Sequence, residues 1–215
     1  MIQRRSVFWA LVLWLGSQSL AWGHPHSWID MVSRPQIDAQ GRLTAFQLSW
    51  LFDEFYTATL LDDAKGKPNP AFLAGLAKQS QATLKEGHYL LHFRGITPAP
   101  TLGQVSDFRY SLFQGQLRLD FTLSLAKAVD STNQTLDYAI YDNTYYIDMS
   151  HHAPDAIQLE GPGASRCKAI YHVPQPSAKD IEYASSLDIN QQGDEGLGEV
   201  FAEWISLHCQ GDVTQ

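Results

Sequence analysis

The sequence predicts a mostly β fold: an antiparallel, sandwich-like single domain with a small helical insertion near residues 53–86. Three observations carry this expectation. Apolar and polar residues alternate in several long runs, glycine-containing turns separate consecutive runs, and helix-type apolar spacing is confined to one region.

Taken in order, residues 29–37 and 43–51 read as two long strands joined at Gly41, the pattern of a hairpin. Residues 53–62 fit a short helix with Phe55 and Leu60 turned inward. A longer helix follows, because Asn69 can cap it, Pro70 suits its first position, and Phe72, Leu73, Leu76 and Ala77 form an apolar stripe. Gly87 stops it. Residues 89–93 read as a strand. Phe108, Tyr110 and Leu112 alternate with Asp107, Arg109 and Ser111, and after Gln114-Gly115 the alternation resumes through Leu117, Leu119, Phe121, Leu123 and Leu125. Residues 136–149, 168–173 and 201–208 are the remaining strands, and the Pro- and Gly-rich residues 154–163 are a loop.

The chain has 215 residues, 44% hydrophobic and 18% charged, which is globular rather than disordered. Fifteen Lys and Arg against 23 Asp and Glu give a formal charge of −8. Without Arg4 and Arg5 the balance is 13 against 23, or −10. Such an acidic surface disfavours nucleic-acid binding. The glycine-rich nucleotide-binding signatures are absent too, so nucleotide is not an expected ligand.

Arg4 and Arg5, the apolar residues 7–16, and small residues at Ala21 and Gly23 form the layout of a secretory signal peptide over residues 1–23. Ser17, Gln18 and Ser19 interrupt the apolar run before it could span a bilayer. A mature domain of residues 24–215 would then begin at His24. Cys167 and Cys209 are the only thiols. In an oxidising compartment they are expected to pair, closing a 42-residue separation, although two buried free thiols fit the count as well.

His24-Pro25-His26 is the most informative motif. Residues i and i+2 of an extended segment project to one face, so both imidazoles can address one ion. Cleavage after Gly23 would add an α-amino nitrogen, and Pro25 lacks the amide N–H that a deprotonated-amide chelate requires. Asp53 and Glu54 follow a strand and either cap a helix or offer carboxylate oxygens. Asp142 lies among aromatic residues in what reads as a core strand, where a carboxylate needs a cation or strong donors. Of His151 and His152, at most one should join a given site. His88, His92, His172 and His208 read as structural.

The segments His24-Pro25-His26-Ser27-Trp28-Ile29-Asp30, Trp50-Leu51-Phe52-Asp53-Glu54-Phe55 and Tyr141-Asp142-Asn143-Thr144-Tyr145-Tyr146, with the late cysteine pair, resemble a family of exported bacterial proteins of unknown function. Its members are catalogued as periplasmic components of an uncharacterised ABC-type transport system. The family's usual proline is Asn143 here, which loosens the turn and removes no ligand. The resemblance implies a periplasmic metal-handling role beside inner-membrane permeases of the nickel/cobalt type, with similarity to zinc-binding uptake proteins. The expected function is capture of a divalent transition metal by His24, His26 and a carboxylate from Asp53, Glu54 or Asp142. Zinc suits this ligand set first, and nickel, cobalt or copper also fit. Two other readings use the same residues. One is a structural or protein-interaction sandwich that binds no metal. The other is a copper- or zinc-dependent periplasmic enzyme.

Overall fold

The computed structural model describes residues 23–62, 64–65, 68–132 and 134–210. The predicted signal peptide therefore lies outside the described residues, apart from Gly23. Strands β1 (Ser27–Ile37), β2 (Arg42–Phe52), β4 (Leu102–Phe113), β5 (Gln116–Asp130) and β7 (Ile147–Ser150) form one sheet in the order β4-β5-β2-β1-β7. Strands β3 (Leu91–Arg94), β6 (Leu136–Ile140), β8 (Cys167–His172) and β9 (Trp204–Cys209) form a second, in the order β3-β6-β9-β8. All named pairings are antiparallel except β1 with β7, which is parallel.

The alternation read from the sequence is the burial pattern of β1, β2 and β5; in the edge strand β4 only Tyr110 is buried, and Leu112 is 47% exposed. Leu117, Leu119, Phe121 and Leu123 of β5 are at most 1% exposed, as are Phe46, Leu48 and Trp50 of β2. The two sheets meet over this face, with the Phe46 ring 4.8 Å from Tyr138 of β6 and 6.1 Å from Phe93 of β3. The second sheet has much shorter strands and covers only part of β1 and β2. The rest is covered by the helical insertion, α1 (Glu54–Asp62) and α2 (Pro70–Glu86).

Local chemistry sets the insertion. Asn69 Oδ1 accepts from the Phe72 N–H at 2.9 Å, Pro70 opens α2, and the Gly87 N–H closes it on Lys85 and Thr83 carbonyls. Asp53 caps α1, its Oδ1 accepting from the Tyr56 N–H at 2.7 Å. Its Oδ2 accepts from Ser27 Oγ at 3.0 Å and from the Trp28 N–H at 2.9 Å, joining the start of β1 to the end of β2. Asp53→Ala is expected to cost about 1–2 kcal/mol, the usual range for a lost cap. Denaturant unfolding measures it, and an unchanged midpoint would show that the cap is dispensable.

The structure corrects the sequence reading in several places. Phe55, expected inward, is 73% exposed, while Tyr56 and Leu60 pack on the core. The strand expected from residue 201 starts at Trp204, because Phe201 ends a helix. The strand expected over residues 136–149 is two strands in different sheets. Residues 141–146 turn between β6 and β7, and Tyr145 takes a positive φ of 56° there. The strand expected from residue 89 starts at Leu91, because His88, Tyr89 and Leu90 all have left-handed backbone (φ 52–56°). Two further helices, α3 (Ala178–Ser186) and α4 (Leu197–Phe201), were not expected. Ser177 and Asp180 form a reciprocal capping box at α3, a legible signal, but the helix has too few apolar residues to show a period.

Cys167 and Cys209 face each other across β8 and β9 and are disulfide-bonded. Among the described residues no helix is long and apolar enough to cross a membrane. The disulfide is compatible with an extracytoplasmic protein.

Candidate metal centre

His24 and His26 lie just ahead of β1, fixed through their backbones. The His24 N–H donates to the Ala184 carbonyl near the end of α3, and the His26 N–H donates to the Tyr146 carbonyl, both at 2.9 Å. The first bond occupies the nitrogen that cleavage after Gly23 would make an α-amine. The His24–Pro25 peptide is cis. The two imidazoles meet edge to face with centroids 4.7 Å apart and an interplanar angle of 80°. The Tyr146 ring touches both, at 5.4 Å from His24 and 5.2 Å from His26.

His24 is 6% exposed. Its Nδ1 and Nε2 and the Nε2 of His26 are buried without a hydrogen-bond partner among the described residues. A buried polar atom left unpaired costs about 1–3 kcal/mol, and an ordered water or a metal ion would each supply a partner here. Two imidazoles on one tetrahedral zinc, at ~2.1 Å per Zn–N bond, hold their centroids ~5 Å apart. The observed spacing is close to that. Burial first, then the neighbouring His26, pull the His24 pKa below 6.5, with Asp142 and Asp188 acting in the opposite sense. The net effect favours the neutral imidazole, the form that binds metal.

The carboxylates sort differently. Asp142 is not in a core strand but at the start of the 141–146 turn. Its Oδ2 accepts from the Tyr146 N–H at 2.9 Å and the Ile147 N–H at 3.2 Å, and its Oδ1 accepts from the Thr144 N–H at 3.2 Å. These donors hold Tyr146 against the histidines. Gly198 lets this turn settle, since a Cβ there would fall 1.7 Å from the Asp142 carbonyl oxygen. Asp53 is the cap described above, with both oxygens engaged. Glu54 is exposed on the first turn of α1, beside the β4–β5 turn. Asp188, which sequence reasoning missed, acts on His24 from the loop after α3. It has no motif around it, and only the fold brings it near. Among the described residues no three His, Cys, Asp or Glu side chains are grouped to hold an ion by themselves.

His151 and His152 diverge, His152 taking a left-handed backbone conformation with φ 60°. His152 Nε2 lies 2.7 Å from Asp30 Oδ1 at the surface. His151 is buried, with Nδ1 2.9 Å from Glu203 Oε2 and Nε2 2.9 Å from Ser33 Oγ. Tyr171 donates to Glu203 Oε1 at 2.6 Å. Burial pushes the Glu203 carboxyl up, but bonds from the His151 side chain and backbone and from Tyr171 outweigh it and hold the group below its ordinary value. Hydroxyl, imidazole and carboxylate thus stand in a row that no sequence motif announced. Ser33 is 0% exposed, and its Oγ also lies 3.2 Å from Tyr138 OH. The row is buried and ties the two sheets together through Ser33 of β1 and Tyr138 of β6.

Asp148 borders this row. Burial, with added repulsion from Glu203 and Asp30, raises its pKa above 3.8, while Ser150 and His152 oppose the rise. A carboxyl that holds its proton more tightly folded than unfolded removes stability as pH rises through those values. Asp148→Asn keeps an acceptor for Ser150 Oγ. It is expected to raise Tm at pH 7 and to leave it unchanged well below pH 3.8. A thermal scan at both pH values checks this, and a lower Tm at pH 7 would refute it.

A family model described as "Protein of unknown function (DUF1007)" matches residues 8–209. No curated protein and no solved structure matches the chain.

Proposed function

The chain belongs to the DUF1007 family, and from that premise we propose that it is a non-enzymatic periplasmic carrier of a divalent transition metal. Its cargo is zinc foremost, captured by His24 and His26 and passed to an inner-membrane permease of the nickel/cobalt type. The observation that carries this reading is the set of three buried, unpartnered imidazole nitrogens on two rings 4.7 Å apart. Two protein ligands leave coordination positions open to water or to a receiving protein's own ligands, which suits cargo that must be released. Asp142 and Asp188 add negative potential beside His24 without having to bind the ion. The net −10 outside the N-terminal arginines favours cation capture further.

Untagged protein isolated from the periplasm tests the proposal, by metal analysis and by zinc titration against a chromophoric chelator. One equivalent of zinc per chain is expected. Zinc uptake no greater than that of a chain lacking both histidine side chains would overturn it.

A further inference from the structure

An ion held by His24 has no direct way in. The side chain is 6% exposed and both of its ring nitrogens are buried. A segment packed against His24 must therefore move before either nitrogen meets a ligand. Besides its own strand, two segments lie there. One is the 141–146 turn, through the Tyr146 ring. The other is α3 with the loop behind it. The Ala184 carbonyl takes the His24 N–H, Asp188 acts on the ring, and a Cβ on Gly23 would fall 2.4 Å from the Ser185 Cα.

These two segments are held very differently. The turn joins β6 to β7, Asp142 accepts N–H groups from Thr144, Tyr146 and Ile147, and the Asn143 carbonyl accepts from Gly196 at 3.2 Å and Gly198 at 3.0 Å. α3 belongs to neither sheet. Of its described residues only Ala184 is buried, and Ile181 is 49% exposed. Its apolar contacts form a small cluster apart from the main core, in which Ala184 and Leu187 meet Leu197, Tyr145 and Phe201. Tyr183 OH adds one bond from the Asp194 N–H at 3.2 Å. Pro174-Gln175-Pro176 leads into the helix without regular structure. Gly193 fixes the far end, since a Cβ there would fall 2.4 Å from the Thr144 carbonyl oxygen. A helix held by one small apolar cluster opens at a lower free energy than the core strands do.

We propose that residues 174–192, centred on α3, are a lid over His24 that swings out as a unit to admit and release the ion. It hinges at residues 174–176 and just before Gly193. Opening breaks the His24–Ala184 bond and parts Leu187 from Leu197, while the turn keeps Tyr146 in place beside the rings. The lid's purpose rests on the metal reading, but its opening does not.

Hydrogen exchange of the intact exported chain, without metal, tests the opening. Amides of residues 178–187 should exchange together, at least ~100-fold faster than those of β2 and β5. Leu187→Ala removes part of the small cluster and should speed both that exchange and diethylpyrocarbonate modification of the His24 ring by about tenfold or more. Stopped-flow zinc binding tests the purpose. The variant weakens the closed lid equally with and without metal, so association and dissociation should both accelerate while Kd stays within about threefold. Exchange of residues 178–187 as slow as that of β2 and β5 would overturn the lid, a comparison that the wild type alone provides. Unchanged zinc rates in a variant that exchanges faster would overturn its role as the gate. A chain that opens as stated but takes up no zinc would overturn the metal reading and uphold the opening.

Discussion

Alanine in place of His24 or His26 is expected to weaken zinc binding by ~100-fold or more, the equivalent of ~2.7 kcal/mol. Each substitution removes one of two imidazole ligands, and no third protein ligand stands ready to compensate among the described residues. Competition titration against a chelator reads the loss directly. Thermal unfolding reads it again, because a bound ligand at 100 times its Kd stabilises by ~2.7 kcal/mol and that increment should fall to ~0.4 kcal/mol in either variant at the same free zinc. The apo variants should fold normally, since each change removes buried nitrogens that already lack partners. Glu54→Gln should bind zinc as the wild type does, and Asp188→Asn should weaken binding only modestly. The pH dependence has a definite sign. Protons compete with metal, and the His24 pKa is lowered by burial and by His26, so its share of the affinity persists at pH 6.5 and declines only below it. Wild-type affinity in both single histidine variants would refute the site. Loss confined to Asp142→Asn would place the ion at the 141–146 turn instead.

Replacing both Cys167 and Cys209 by alanine is expected to lower stability by about 4 kcal/mol, from the chain entropy of a loop closed over 42 residues. For a chain of this size that corresponds to a fall in Tm on the order of 10 °C. The bond joins β8 to the last residue of β9, and Cys209 is 0% exposed, beneath Ser131, whose carbonyl accepts its N–H at 3.0 Å. The effect should therefore reach the turn after β5 as well as the β8–β9 pair. Unfolding of the oxidised chain, the reduced chain and the double variant gives the comparison. Coincident transitions would show that the bond contributes nothing.

The sequence by itself determined the elements whose signal is local and repetitive. Alternation of period two fixed β1, β2 and β5, because one face of each strand is buried and a one-residue slip would expose every apolar side chain, whereas β4 lies at the sheet edge with only Tyr110 buried. The cap at Asn69, the stop at Gly87 and the turn at Gln114-Gly115 were equally legible, each being satisfied within a few residues, whereas Asp53 read equally well as a cap or a ligand. His24 and His26 were legible as a pair because Pro25 separates them by a single residue. Tertiary structure alone decided what surrounds them. That His24 is buried against Ala184, that Tyr146 touches both rings, and that Asp142 serves a turn while Asp188 reaches the site from α3's far end all depend on distant segments packing together. The Ser33–His151–Glu203 row arises the same way. A strand or cap records its environment in its own spacing. A site assembled from residues 24, 146 and 188 leaves no periodic trace, because its geometry is fixed by burial elsewhere in the chain.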